Sequence, residues 1–378
     1  MKILHFGKFY PPFNGGMEIY LRDLSEQQAK NHTVTTLVHN HNYRHLTSPT
    51  EKEVINHVNL IRQACLKPIL FTPIMLGANK CISQLIDSKM VDVIHISWPN
   101  PSALLLLLRK KARSKPWVIQ WQSDMVTKNS SLLLKLAYQF FKPFEKALLK
   151  QASKIIVSTQ EYYNYSRALK PFKEKCSFIP LGIKSSESAI TKDDLQWAHS
   201  LWEKAHYKIY NIGRLTFYKN HQLIIKAAQL LPDAMFIITG TGELKQHLQK
   251  LIKQQQLTNV VLTGSLDKNK LNALLSTCDA FCLPSNDRAE SYGMVLLEAL
   301  NFNKTILVSN LKGSGMRWIA SQSNLGQTFD CNDPKDLVNT ILKTIPQNNN
   351  STNNADTPFF NIKQCATSID QLYQTTVS

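Results

Sequence analysis

The chain has 378 residues, 43% of them apolar, which fits two globular domains and excludes an intrinsically disordered protein. The longest apolar run, residues 103–108, is too short to cross a bilayer, and the first residues lack signal-peptide features, so we expect a cytoplasmic protein. The formal net charge is +17, and residues 1–185 carry +15 of it, with 26 Lys and Arg against 11 Asp and Glu. This one-sided excess predicts a polyanionic partner for the first half, either an anionic membrane or nucleic acid.

Short β-rich runs alternate with helical patterns along the chain. In the first half, strands are predicted at residues 3–6, 33–38, 91–96, 118–121 and 155–158, with helices at 18–30 and 132–150, the latter divided by Pro143. In the second half, strands are predicted at residues 209–212, 235–239, 260–262, 280–283 and 305–308, with helices at 221–231, 243–256, 267–276 and 292–301. Such alternation predicts parallel sheets with right-handed crossovers.

We therefore expect an α/β protein of two Rossmann-like, doubly wound domains that face each other across a cleft. The first domain is predicted at residues 1–185 and the second at residues 206–346. A helix is predicted near residues 358–378, and we expect it to pack back on a domain, the first being the natural candidate.

Ligands of open α/β sheets bind beyond the carboxyl ends of the strands, so the loops that follow strands are the candidate sites. Gly15 and Gly16 follow the first strand, where a backbone without side chains can approach a phosphate at a helix N-terminus or simply form a turn. Arg214 and Lys219 follow the first strand of the second half and suit a diphosphate, although a solvated basic loop explains them as well. The Gly-x-Gly turn within residues 239–243 is interpreted as structural.

The most informative loop spans residues 284–299. Glu290 ends its polar part, and Glu298 lies two turns into the apolar helix that begins near Gly293. Carboxylates accept hydrogen bonds from sugar hydroxyls, and a helix N-terminus can offset negative charge on a departing diphosphate. A structural salt bridge is the alternative interpretation of Glu298.

These features together resemble the retaining glycosyltransferases of family 4, through the Glu290–Glu298 spacing, the Arg214 and Lys219 pair and the Gly15-Gly16 turn. Residues 94–101 (IHISWPNP) and 179–183 (IPLGI) extend the match, and residues 121–124 (WQSD) are similar to the subgroup that builds bacterial surface polysaccharide. The resemblance implies the GT-B fold, a nucleotide-sugar donor, a lipid-linked or growing glycan acceptor, and retention at the anomeric carbon. It also implies that no metal or other cofactor is needed, which fits the lack of an Asp-x-Asp motif in the sequence.

The resemblance assigns roles by position. It implies that Arg214 and Lys219 hold the donor diphosphate, that Glu290 binds hydroxyls of the transferred sugar, and that Glu298 binds the ribose. Further donor-binding positions are Gly15, Gly16, Tyr292 and Gly293, and the acceptor side is expected to include Asp124 and His95, the latter as a packed or cleft-lining residue rather than a base. Gln122 completes the catalytic set of Glu290, Arg214 and Lys219, but relatives commonly have His at its position. Because Gln cannot titrate, this departure puts the efficiency of transfer in doubt more than donor binding.

The basic first half suggests where the protein acts. Residues 108–154 contain eleven Lys and Arg against Asp124 and Glu145, and residues 132–149 interleave Leu, Phe and Tyr with Lys. This composition is typical of a helix on an anionic membrane, with an ordinary basic helix face as the alternative, and no nucleic-acid motif is present. We therefore expect a peripheral protein on the inner face of the cytoplasmic membrane. The alternative functions are a nucleotide-sugar epimerase of the same fold, or an attenuated sugar-nucleotide-binding protein.

Overall fold

The computed structural model divides the chain into two compact units. It describes residues 1–13, 15–43, 46–69, 72–125, 131–184, 190–203, 205–348 and 361–377. Unit 1 contains Met1–Lys184 together with the last helix of the chain, and unit 2 contains the described residues between them. No helix in these ranges combines the length and the apolar character needed to cross a membrane.

Unit 1 is built on a parallel sheet of buried strands. Its strands are β1 (Lys2–Phe6), β2 (Thr33–His39), β3 (Glu51–Ile55), β4 (Val58–Gln63), β5 (Cys65–Ile69), β6 (Thr72–Met75), β7 (Val93–Trp98), β8 (Trp117–Trp121), β9 (Lys154–Val157) and β10 (Cys176–Phe178). Its helices are α1 (Gly16–Gln28), α2 (Ala78–Asp87), α3 (Lys110–Arg113), α4 (Leu132–Gln151) and α5 (Gln160–Tyr165), with 3₁₀ helices at Pro101–Leu108 and Lys170–Lys175. Eight strands form one sheet in the order β10-β9-β8-β7-β1-β2-β4-β3, and β3 alone runs antiparallel to its neighbour. The central strands are buried on both faces because helices cover both sides of such a sheet.

Unit 2 repeats the plan at smaller size. Its helices are α6 (Lys192–Leu201), α7 (His221–Leu230), α8 (Lys245–Gln254), α9 (Lys268–Thr277), α10 (Met294–Asn301), α11 (Gly315–Ser321) and α12 (Pro334–Asn348). Its strands are β11 (Tyr207–Ile212), β12 (Ala234–Thr239), β13 (Val260–Gly264), β14 (Ala280–Leu283), β15 (Thr305–Ser309) and β16 (Gly326–Phe329), which form one parallel sheet in the order β13-β12-β11-β14-β15-β16. The apolar core lies between this sheet and the flanking helices.

The last helix, α13 (Ile362–Val377), packs against α1 within unit 1. Hydrogen bonds of partly or fully buried side chains attach α13 to the rest of unit 1. Nε2 of Gln28 donates to Oδ1 of Asp370 at 2.6 Å, and the hydroxyl of Tyr373 lies 2.5 Å from Nδ1 of His95. Burial lowers the pKa of His95 well below its ordinary value, so the ring is neutral.

The sequence predictions differ from this fold in several places. The strands β3, β4, β5, β6, β10 and β16 were not predicted. Of these, β3, β10 and β16 are edge strands, which carry no continuous apolar run that would distinguish them from loops. Unit 2 begins earlier than residue 206, since α6 packs on α9. The prediction that Pro143 divides α4 is wrong, since the helix is continuous over Leu132–Gln151. Pro143 and Gln139 are exposed, so the carbonyl that lacks a helical partner can be hydrated.

Candidate functional site

The strand order of unit 2 places its ligand site beside β11 and β14. Successive strands run outward from β11 on one side and from β14 on the other, so the order reverses between these two strands. Loops that leave a parallel sheet at such a point diverge and open a crevice at the carboxyl edge. Asn211 fixes the strands at this point, since its Nδ2 donates to the Cys282 carbonyl at 2.7 Å. The loops at residues 213–220 and 284–293 therefore form the candidate site.

The Gly-x-Gly turn after β12 supports the loop after β11. A Cβ on Gly240 would lie 1.9 Å from the carbonyl oxygen of Gly213, and one on Gly242 would lie 2.4 Å from that of Leu215. Gly240 also adopts φ +149°, which side chains disfavour. These glycines allow the backbone of the turn to pack closely against the loop after β11, which agrees with the structural interpretation of the turn.

The pair formed by Lys219 and Glu290 is the central feature of the site. Nζ of Lys219 lies 2.5 Å from Oε2 of Glu290, and the two side chains are 10% and 12% exposed. Gly213 makes room for this lysine, because a Cβ there would lie 3.2 Å from its side chain. The amide of Asn286 donates to the carbonyl of Tyr218 at 2.9 Å and ties the two loops together. Two residues predicted separately for the site thus meet as a largely desolvated ion pair.

The ring of His221 adds no charge next to this pair. Burial, with the charge of Lys219 as the second cause, lowers the pKa of His221 to about 3, so the ring is neutral. Arg214 is exposed at the other end of the same loop. The loop after β11 therefore carries two cations, Lys219, which is paired with Glu290, and Arg214, which faces solvent.

Glu298 lies on α10, away from that pair. Its Oε2 is 2.7 Å from Nζ of Lys268, the first residue of α9, and its side chain is 28% exposed. The predicted alternative of a structural salt bridge thus describes its contact here. Sequence reasoning missed Lys268, because nothing local indicates that α9 brings it beside α10.

Two more predicted residues, Tyr292 and Gly293, lie at the start of α10. Gly293 caps the helix with φ 85°, a left-handed conformation that favours glycine. Tyr292 is only 2% exposed, and its ring centroid lies 6.5 Å from that of Trp318. The contact of Tyr292 with the donor stays a prediction.

Unit 1 has its own point of strand reversal, between β1 and β7. Gly15 caps α1 in an ordinary extended conformation, so its backbone requires no glycine. A Cβ on Gly15, however, would lie 2.2 Å from Oε2 of Glu18, whose carboxylate is folded back over the cap and is 5% exposed. A phosphate that approaches Gly15 and Gly16 as predicted would meet this carboxylate. The sequence contains an indication of this contact, because an acidic residue three positions after a helix cap commonly folds back over the cap.

Gln122 lines a cavity of about 10 Å³ in unit 1, room for one water-sized group. The other polar lining side chains are those of Lys8, Glu18 and Ser97. Gln122 is 5% exposed, and neither atom of its amide has a hydrogen-bond partner among the described residues. A buried amide in this state favours a guest that both donates and accepts, such as a hydroxyl.

The two residues predicted for the acceptor side are both engaged in unit 1. Oδ1 of Asp124 accepts from Nε1 of Trp121 at 3.1 Å and from Oγ of Ser166 at 2.6 Å. His95 lies inside β7 with no exposed surface, bonded to Tyr373 as described above. This position differs from a cleft-lining role for His95 and agrees with its alternative as a packed residue. Over the described ranges, no three His, Cys, Asp or Glu side chains are grouped to hold a metal.

Comparison with known proteins agrees with this architecture. The sequence model described as Glycosyltransferase Family 4 matches residues 14–187, and that described as Glycosyl transferases group 1 matches residues 194–356. The O-antigen chain mannosyltransferase C of Escherichia coli is 28% identical over 94% of this chain and 91% of its own length. The D-rhamnosyltransferase WbpZ of Pseudomonas aeruginosa is 25% identical over 88% of this chain and 84% of its own.

Solved structures show the same fold. Sucrose-phosphate synthase from Thermosynechococcus elongatus superposes with a TM-score of 0.70 at 18% identity, covering 99% of both chains. Anabaena HepE in complex with UDP-glucose gives a TM-score of 0.69 at 16% identity, again over 99% of both chains. The two Rossmann-like units are those of the GT-B fold, and the two successive family matches span nearly the whole chain, which therefore belongs to the family-4 glycosyltransferases.

Proposed function

We propose that this glycosyltransferase moves a sugar from a nucleotide-sugar donor to a lipid-linked or growing glycan acceptor in cell-surface polysaccharide synthesis. Transfer retains the anomeric configuration and needs no metal ion. The observation that carries the proposal is the contact of Lys219 with Glu290, because it places a phosphate-binding cation beside a hydroxyl-binding carboxylate. The names of the mannosyl- and rhamnosyltransferase relatives, and the UDP-glucose complex of HepE, support this substrate class.

The donor diphosphate binds to unit 2 through Arg214 and Lys219. Two cations and the N-terminus of α10 balance its two negative charges, and so supply the electrostatic stabilisation that other enzymes obtain from a metal. Glu290 orients hydroxyls of the transferred sugar, and Lys219 holds this carboxylate in place. Glu298 binds the ribose and exchanges its contact with the half-exposed Lys268 for one with the nucleotide.

The reaction is a displacement on one face of the sugar. The bond from the anomeric carbon to the phosphate oxygen breaks, and the acceptor hydroxyl bonds to that carbon from the same side. The hydroxyl proton passes to the departing phosphate oxygen, while Arg214 and Lys219 stabilise the charge that develops there. In unit 1, the Gln122 amide hydrogen-bonds a sugar hydroxyl, since its cavity fits a group of that size.

The acceptor determines where the enzyme works. A lipid-linked acceptor lies at the membrane, so the protein acts as a peripheral protein on the inner face of the cytoplasmic membrane. The relatives are named for glycosyl transfer, which favours transfer over the epimerase and over a non-catalytic binder.

A donor panel tests the proposal. Purified protein is mixed with nucleotides and nucleotide sugars, and thermal stabilisation and sugar release or transfer are measured. We expect one nucleotide series to stabilise the protein, and Glu290→Gln to lower transfer by about 100-fold. Glu203→Gln, at an exposed position of the same unit, is the matched control and should transfer like the wild type. Stabilisation by no nucleotide, or full activity of Glu290→Gln, would contradict the proposal.

A further inference from the structure

Helix α4 presents an apolar face to solvent. Five large apolar side chains on it are between 55% and 81% exposed, and we call them the α4 apolar face: Leu132, Leu133, Leu136, Phe140 and Phe144. Four of them are spaced four residues apart, so they line one side of the helix. Single exposed leucines are ordinary on protein surfaces, but a continuous apolar strip on one helix marks an interaction site.

The opposite side of α4 shows that this exposure is not caused by loose packing. Leu148 and Leu149 are buried in the core of unit 1, and the ring of Phe141 stacks 6.0 Å from that of Trp98. The hydroxyl of Tyr138 donates to Oε1 of the buried Glu145 at 2.5 Å. The helix is therefore anchored through one side, and its apolar face remains available to a partner.

A lysine row lies beside the α4 apolar face. Lys142 and Lys146 are exposed and Lys135 is partly exposed, and their spacing places them on a side of the helix adjacent to the apolar strip. The single acidic residue of α4, Glu145, is buried. The solvent-facing surface of this helix thus carries positive charge only.

The neighbouring 3₁₀ helix and the helix α3 that follows it also expose apolar and basic side chains. It packs against α4, and Leu108 at its end is 71% exposed. The chain continues directly into α3, where Lys110, Lys111 and Arg113 are exposed, Lys111 forming an ion pair with Asp87. Exposed apolar and basic side chains therefore occur on three neighbouring elements of unit 1, which are α4, the 3₁₀ helix and α3.

We propose that the α4 apolar face and its lysine row dock on an anionic lipid bilayer, with α4 parallel to the surface. Leu136 and Phe140 enter the boundary between headgroups and acyl chains, while Lys142 and Lys146 contact lipid phosphates. Charge complementarity selects a lipid surface over a second copy of this chain, because two copies would bring their lysine rows together. The inference names the surface by which the proposed function reaches its membrane.

Vesicle binding of the full chain tests the docking surface. Vesicles of phosphatidylcholine, alone or with about 30% phosphatidylglycerol, are used at roughly 50 to 500 mM NaCl in a flotation assay. The wild type should bind only the anionic vesicles, and at least roughly tenfold more weakly at high salt. The double variant L136S/F140S should lose about tenfold or more of its binding, and K142Q/K146Q should weaken binding and flatten its salt dependence.

Matched controls come from unit 2. Leu230→Ser changes a leucine that is 46% exposed, and K250Q/K253Q removes two exposed lysines of α8, so both should bind vesicles like the wild type. Circular dichroism and nucleotide binding show whether each variant is folded, and they report on the donor site separately. Wild-type affinity of L136S/F140S for anionic vesicles, or no vesicle binding by the wild type, would overturn the docking surface. The second result would also contradict the proposed peripheral location, whereas the proposed sugar transfer is tested separately by nucleotide binding and transfer. A dimer in light scattering that L136S/F140S dissociates, without loss of vesicle binding, would assign the face to a second copy instead.

Discussion

Helix α4 has one buried carboxyl group, that of Glu145, and its replacement is expected to change how stability depends on pH. Glu145 is 2% exposed, and burial is the main cause that raises its pKa from 4.5 to about 7. The charge of Asp124 acts in the same direction, whereas the hydrogen bond from Tyr138 and the charge of Lys142 oppose it. The folded protein therefore binds a proton at Glu145 between about pH 5 and pH 7, where the unfolded chain has released it.

The size of the effect follows from this difference. A higher pKa in the folded state means that the free energy of unfolding decreases as pH rises from about 4.5 toward 7. The full shift corresponds to about 3 kcal/mol at most, since each unit is worth about 1.4 kcal/mol. In Glu145→Gln the amide oxygen still accepts the Tyr138 hydrogen bond and carries no charge. We expect the variant to be more stable than the wild type by up to about 3 kcal/mol near pH 8, and by less than about 1 kcal/mol near pH 5.

Hydrogen–deuterium exchange of α4 peptides measures this locally, which avoids assuming that the two units unfold together. After correction for intrinsic exchange rates, protection of residues 132–151 should fall with pH in the wild type and stay level in Glu145→Gln. Glu174→Gln is the control, because this glutamate is exposed on the same unit. Equal protection of wild type and Glu145→Gln at both pH values would refute the claim that burial of this carboxyl costs stability.

Three further substitutions test the sites. Lys219→Ala should weaken donor binding and destabilise unit 2 by about 3 kcal/mol, because Glu290 loses its partner. The double variant that also carries Glu290→Gln should regain the melting temperature of the wild type but not its transfer activity. Restored transfer in the double variant would contradict the proposed roles. Gln122→His should raise the transfer rate about tenfold or more with little change in donor affinity, since a protonated ring can donate a charged hydrogen bond that Gln cannot. An unchanged rate in steady-state kinetics would contradict this expectation. Tyr373→Phe should lower stability by about 1–3 kcal/mol in urea unfolding, because the buried Nδ1 of His95 loses its partner, and an unchanged midpoint would contradict that contact.

The loops of the candidate donor site could be predicted because the rule that locates them is topological. Once β11 and β14 are recognised as parallel strands, their carboxyl ends must share one edge, so Lys219 and Glu290 belong to the same site. Their direct contact could not be predicted, because it depends on the path of two loops. Lys268 was missed for the same reason, since only packed helices bring it to Glu298.

Burial was the least predictable property of the candidate residues. Tyr292 was assigned to the donor side by its position in a recognisable segment, and His95 was left open as a packed or a cleft-lining residue. Both are buried. A strand residue of a parallel sheet faces a covering helix on either side, and for His95 that cover is α13, from the far end of the chain. Local sequence contains no information about such a distant partner.

The glycines after β1 and β11 differ in the charge of the side chain that each one accommodates. Gly213 leaves space for Lys219, and Gly15 leaves space for Glu18, so each glycine admits a charged side chain of its own unit. The signs are opposite, positive in unit 2 and negative in unit 1. An ammonium attracts a phosphate, whereas a carboxylate disfavours a phosphate and accepts a hydrogen bond from a hydroxyl. In the proposed mechanism the donor phosphates therefore bind beside Gly213, and the difference between the two turns is carried by the neighbouring side chain rather than by the glycine.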